Sequence, residues 1–338
     1  MPPAPPFASR MSPHRRRRVL RGLAAGVVVL GLLLWWLWPF GASDPKGSLT
    51  FSTGVRTGVY HRYGELLEQA LARDLPGVDV RLLPSEGSQQ NLARVASGEA
   101  DFTVATADAV AKYRADGKPG AEGLRGVARL YDDYVQLVVP ADSPVQSARD
   151  LRGKKVAVGQ PGSGVRLISE RLLAAAKLDP QRDVTPVSIG IDTMPAELEA
   201  GRIDAFFWSG GLPTNAVREL SERFDIRLVP LGDLLPELQG GGTPGLRYYR
   251  AAVMSPDAYR RSRNSTAVET VAVPNLLVTT ERTDPDLTER FTRTVISSRD
   301  DVGREVHAAQ RVDLRTAIYT DPLDLHEGAR RYYRSVKP

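Results

Sequence analysis

The sequence predicts an α/β fold with mostly parallel sheets, built as two lobes. Strand-like apolar runs alternate with helical patterns in units of ~15–25 residues. Gly- or Ser-rich turns repeatedly join a strand to the following helix. Two long strand-like runs, Tyr134–Val139 and Val271–Thr279, interrupt this alternation and suit crossings between lobes. At 338 residues the chain is also long for a single small core.

The elements follow in order. Leu49–Ser52 alternates like a strand, and Leu66, Leu67, Ala70 and Leu71 have helical spacing. Val78–Leu83 is a second strand. Ser88 is a candidate cap for a helix holding Asn91, Leu92 and Val95, which Gly98 ends. Phe102–Ala105 is a third strand, with Thr106 or Asp108 capping the next helix. In the second series Val156–Val158 is a buried strand, Gly159–Gly164 a turn, and Val165–Ala176 an amphipathic helix. Val184–Ile189 and Ile203–Trp208 are further strands. Helices follow near Met194–Ala200 and Ala216–Arg223, with a loose loop at Gly240–Gly242. Pro274 places the run Val271–Thr279 at an edge or a crossing. Helices near Leu287–Ser298, Val302–Gln310 and Leu325–Tyr333 close the chain.

Composition narrows the function. There is no cysteine, which excludes disulfides, thiolate metal sites and a cysteine nucleophile. The four histidines are scattered, so neither a metal nor a cofactor is expected. The net charge is +5, yet residues 1–43 hold six arginines and no acidic residue. Removing those six from the 45 basic residues leaves 39 against 40 acidic, so the remainder is close to neutral. That argues against a nucleic-acid partner.

The arginines flank an apolar segment. From Gly22 to Phe40 every residue is apolar or glycine except Pro39. This length spans a bilayer core of ~30 Å. Arg15–Arg18 hold the N-terminus in the cytoplasm, and Trp35, Trp36 and Trp38 suit the outer interface. The expected organisation is a cytoplasmic basic tail (1–18), a single-pass signal anchor (19–40), a linker (41–47) and an extracytoplasmic binding region. Cleavage of the anchor, releasing the exported part, is the alternative. The first lobe is expected from 48–136 and 275–338, and the second from 137–274.

An ordered set of motifs spans the exported part. It includes Thr53-Gly54…Gly58-Val59-Tyr60, Gly87-Ser88-Gln89-Gln90-Asn91-Leu92 and Ser97-Gly98-Glu99-Ala100-Asp101. It continues with Leu151–Gly159, Pro161-Gly162-Ser163-Gly164, Gly201–Phe207 and Thr270–Pro274. In these motifs the chain resembles the TAXI-family solute-binding proteins of TRAP transporters. The resemblance implies a type II periplasmic-binding-protein fold, with two α/β lobes joined by a hinge and closing on a ligand cleft. It implies no catalysis. It also implies capture of a small anionic or zwitterionic ligand (a glutamate-like amino acid, a dicarboxylate or a 2-oxo acid) by a monomeric ectodomain, and delivery to TRAP permease subunits driven by an ion gradient.

The candidate binding residues lie where strands give way to helices. Helix N-termini and glycine turns there favour an anion. The candidates are Gly54, Arg56, Gly58, Tyr60, Ser88, Asn91, Thr106, Asp108, Gly162, Ser163, Gly164, Trp208 and Gly210. Arg56 is a candidate partner for a second acidic group, and Tyr60 or Trp208 for an apolar part. Two other readings are a ligand-sensing input to a membrane sensor kinase and an extracellular hydrolase using His61 with Ser163.

Overall fold

The computed structural model describes residues 45–240, 242, 245–306 and 312–336, together with Gly26 and Val29. The chain divides into two units, 1–44 and 45–338, and every element below belongs to the second. The expected basic tail and the anchor at 19–40 lie outside the described residues, apart from Gly26 and Val29. Among the described residues no helix is long and apolar enough to cross a membrane.

The first series runs β1 (Gly47–Ser52), α1 (Val59–Asp74), β2 (Val78–Leu83), α2 (Ser88–Ser97), β3 (Phe102–Thr106) and α3 (Ala107–Ala115). A long strand, β4 (Leu124–Pro140), leads to the second series. That series is β5 (Lys155–Ala157), α4 (Gly164–Ala175), β6 (Thr185–Val187), α5 (Met194–Glu199), β7 (Ala205–Gly210) and α6 (Asn215–Arg223). Then come β8 (Ile226–Val229), α7 (Leu235–Gly240), β9 (Arg250–Met254) and a second long strand, β10 (Val268–Thr280). The chain returns through α8 (Pro285–Ser297), α9 (Arg299–Gly303), α10 (Leu314–Ala317) and α11 (Glu327–Val336).

The ten strands of the described residues join one sheet. Its main path is β2-β1-β3-β10-β4-β7-β5-β6, with β8 on β4 and β9 on β10. The β1–β2, β1–β3, β5–β6 and β5–β7 pairs are parallel, as strand–helix alternation requires. The β4–β10 pair at the centre is antiparallel, running from Tyr134↔Ala272 to Leu124↔Thr280. Pro274 sits in this central pair, where it cannot donate to the ladder. The register shifts between Pro274 and Leu276, a bulge that absorbs the missing donor.

Apolar packing divides along these two strands. Val135–Val139 and Val271–Val273 belong to one core with β5, β7, β8 and α4. Val127–Tyr131 and Leu277 belong to another, beneath α1 and α8. A third cluster under α2 and α3 takes Leu276 and Val278 from β10 and Leu167 from α4, so it joins both halves of the sheet.

Several expectations need correction. Ser88 does not cap α2; it is the first helical residue, and Gly87, at φ +127°, occupies the cap. Thr106 is the cap residue of α3 but makes no side-chain capping bond, and Asp108 lies inside the helix. β8, β9 and α7 were not legible, because each is short and lacks a clean period. The helix expected over Val302–Gln310 ends at Gly303, and residues 307–311 lie outside the described set.

Asn91 is fully buried and ties the first series together. Its Oδ1 accepts from the Ser52 and Ser85 hydroxyls at 2.7 and 2.6 Å. Its Nδ2 donates to the carbonyls of Thr53 at 2.7 Å and Val104 at 2.9 Å. All four of its hydrogen-bonding positions are therefore used inside the protein. Asn91→Ala leaves these groups unpaired and is expected to destabilise the fold by about 2–5 kcal/mol. Denaturant unfolding measures this, and a loss below about 1 kcal/mol contradicts the assignment.

Candidate functional site

Loops at the carboxyl ends of the parallel strands meet over the centre of the sheet, where ligands gather in open α/β folds. The β1–α1, β2–α2 and β3–α3 connections supply Gly54, Gly58, Tyr60, Ser88 and Thr106. The β5–α4, β6–α5 and β7–α6 connections supply Gln160, Ser163, Gly164, Ile191 and Met194, with Trp208, Ser209 and Gly210 at the end of β7. Together they enclose a cavity of about 60 Å³. A cavity of this size admits only a small-molecule ligand.

The floor of this cavity is a carboxylate. Asp133, on β4, lines it and is only 3 % exposed. Its Oδ1 accepts from Asn275 Nδ2 at 2.7 Å, and Ser209 Oγ lies 3.5 Å from Oδ2. The Tyr60 hydroxyl donates to Asn275 Oδ1 in a short bond and lies 3.3 Å from Ser88 Oγ. Burial pushes the Asp133 carboxyl up to about 7, only partly offset by the Asn275 bond, and the charge of Asp132 adds to the rise. Burial, and then the neighbouring Asp133, hold the Tyr60 phenol well above its usual range. The remaining wall is largely apolar, from Val55, Val59, Val165, Ile191, Met194 and Trp208.

Direct contacts hold the two sides together. The Gln89 and Gln90 amides, in the first turn of α2, donate to the Gly162 carbonyl at 3.1 and 3.0 Å. Gln89 Nε2 donates to the Ser163 carbonyl at 2.8 Å. A Cβ on Gly164 would come within 2.9 Å of Ser88 Oγ, so any other residue makes Ser88 shift. The turn before α4 also needs Gly159, whose φ is +87°. Further out, Asp108 Oδ2 accepts from Arg171 Nη1 at 2.8 Å and from the Tyr249 hydroxyl at 2.6 Å.

The structure brings most of the predicted residues together. Gly54, Gly58, Tyr60, Ser88, Thr106, Ser163, Gly164, Trp208 and Gly210 all line the cavity. Four do not. Arg56 is exposed on its loop and does not line the cavity. Asn91 is saturated by the frame. Asp108 lies off the wall, its Oδ2 held by Arg171 and Tyr249. Gly162 contributes its carbonyl to α2, so the amides expected to hold an anion at that helix are already occupied. Ser163 caps α4 by accepting from the Arg166 amide at 3.0 Å. The His61–Ser163 pair is absent: His61 Nδ1 lies 3.1 Å from Thr53 Oγ1, and Ser163 Oγ donates to the Gln160 carbonyl at 2.7 Å. Among the described residues no cluster could hold a metal ion.

Asp133 escaped the sequence reading. Its only signal was the acidic pair Asp132-Asp133 entering an apolar strand. Asp132 is paired with Arg129 and Arg250, both at 2.6 Å, whereas among the described residues Asp133 has no basic partner.

A carboxyl raised on folding stabilises the native state while it is protonated, and that contribution fades as pH rises from about 4 to about 7. The ligand-free protein is therefore expected to lose up to about 4 kcal/mol of stability across this window from Asp133 alone. Asp133→Asn should flatten the profile and raise stability at pH 8. Thermal unfolding at stepped pH measures both, and an unchanged profile in the variant contradicts the assignment.

Comparison with known proteins places this geometry in a family. An ancestral arginine-binding protein bound to arginine is 16% identical, with 77% of this chain and 98% of that one covered, at a TM-score of 0.51. A protein from Bordetella bronchiseptica RB50 is 18% identical over 87% of this chain and 90% of its own, at 0.50. The periplasmic aliphatic sulphonate binding protein SsuA from Escherichia coli is 16% identical over 87% and 84%, at 0.45. The first two share the α/β fold of this chain. The profile of the NMT1-like family matches residues 51–336, and the chain belongs to that family.

Proposed function

We propose that the protein is an extracytoplasmic solute receptor that captures a small organic acid or amino acid between two lobes. The carrying observation is the cavity itself, closed by loops from both series at the carboxyl ends of the strands. The lobes are 48–136 with 275–338, and 137–274, and β4 and β10 are the hinge strands. A ligand touching both lobes favours the closed form by its differential affinity, which is the whole driving force for closure.

The receptor reading extends to the membrane. The apolar run Gly22–Phe40 anchors the protein in a single pass, and Arg15–Arg18 keep the tail inside. On the motif resemblance to TAXI proteins, the captured solute passes to a TRAP-type permease driven by an ion gradient. The receptor itself performs no catalysis.

A thermal-shift panel on the full-length chain tests capture, with amino acids, mono- and dicarboxylates, and neutral sugars as controls. A ligand at ~1,000 times its dissociation constant stabilises the fold by ~4 kcal/mol. A response among the acids or amino acids is expected, and silence across both removes the reading. Gly164→Val should weaken the responding ligand at least about tenfold, or ~1.4 kcal/mol, because the new side chain meets Ser88 when the lobes close. Uptake by cells should collapse with the ion gradient; uptake that follows ATP instead removes the TRAP assignment.

A further inference from the structure

We propose that the ligand is a small α-amino acid with a short apolar side chain, bound through its ammonium group by Asp133. This rests on the solute-capture reading and narrows it. The wall contains no lysine, arginine or histidine among the described residues. Its charged groups are Asp133 on the floor and Glu86, exposed at the rim. A dicarboxylate would bring two more negative charges to a surface with no side-chain cation. An amino acid brings the missing cation.

Asp133 has the geometry to receive it. Asn275 occupies Oδ1, while the contact of Oδ2 with Ser209 is long at 3.5 Å, so Oδ2 retains acceptor capacity. A carboxylate this deeply buried without a cationic partner is costly, and a ligand ammonium offsets the cost. The raised proton affinity of Asp133 reflects the same burial without a cation.

The rest of the cavity fits the other parts of such a molecule. Thr106 Oγ1 is buried and has no hydrogen-bond partner. It faces the start of α4, since a Cβ built on Gly164 would lie 3.6 Å from it. A ligand carboxylate placed there accepts from this hydroxyl and from the Gly164 and Val165 amides, the Arg166 amide being held by Ser163. Ile191, Met194 and Trp208 offer an apolar surface to a side chain, and the small volume limits its length.

Titration calorimetry of the full-length chain at pH 8 decides between ligand classes. L-alanine and L-valine are compared with lactate and propionate, which lack the amine, and with succinate and L-glutamate. Alanine or valine is expected to bind at least 100-fold more tightly than lactate, propionate or succinate. Asp133→Asn should cut that preference at least 30-fold and leave lactate within about threefold. Amine-free acids binding as tightly as alanine would overturn the inference and leave solute capture standing. An unchanged preference in Asp133→Asn would do the same, as would L-glutamate outbinding both small amino acids. No binding by any of the six removes both. Should the variant fail to fold, the alanine-to-lactate ratio on the unaltered chain decides alone.

Discussion

The antiparallel pairing of β4 with β10 is the constraint on which the rest of the structure depends. Both strands are long enough to belong to two cores, and the change of core falls between Tyr131 and Val135 on one and between Val273 and Leu276 on the other. The same short stretch holds Asp133 and Asn275, hydrogen-bonded to each other. The cavity floor is therefore built from the two long central strands, beside the bulge at Pro274, while its walls come from loops. A polar pair in the middle of a sheet is tolerable only if each member is satisfied. Here Asn275 is satisfied on both sides by Tyr60 and Asp133, and Asp133 is left one partner short.

That shortfall changes how the walls are understood. Helix N-termini around the cavity suggested an anion, but an N-terminus attracts an anion only while its amides are free. The Gly162 carbonyl has taken those of α2. What remains is a negative floor, an apolar wall and the start of α4, an arrangement with two ends of opposite character. Its polarity comes from where the chain places one uncompensated carboxylate, and the +5 overall charge, concentrated in the N-terminal tail, says nothing about it.

Most of the fold was legible because strand–turn–helix units leave a local record. β2 falls on Val78–Leu83 as its pattern required, and Gly98 ends α2 with a left-handed φ of +87°. The glycine turns located the cavity for the same reason. Short β8 and β9 left too few residues to show a period. The roles of Asn91, Asp108 and Asp133 were illegible in a deeper sense. Each looks like a polar residue near a cleft, and what separates them is the partner that tertiary packing supplies. Asn91 finds four groups, Asp108 finds Arg171 and Tyr249, and among the described residues Asp133 finds no cation. No local pattern records that difference.

The carbonyl of Gly162 has one more consequence. It supplies the first turn of α2 with the acceptor that a ligand would otherwise have to provide, so part of the attraction between the two sides belongs to the protein alone. In a receptor that works by closing, such a self-made contact raises the resting fraction of the shut form and lowers the conformational tax on binding. On the receptor reading, the same contact would break before the solute leaves, which would lengthen its residence time. Tight retention and slow hand-over would then share one cause, a single peptide oxygen bound to the first turn of α2.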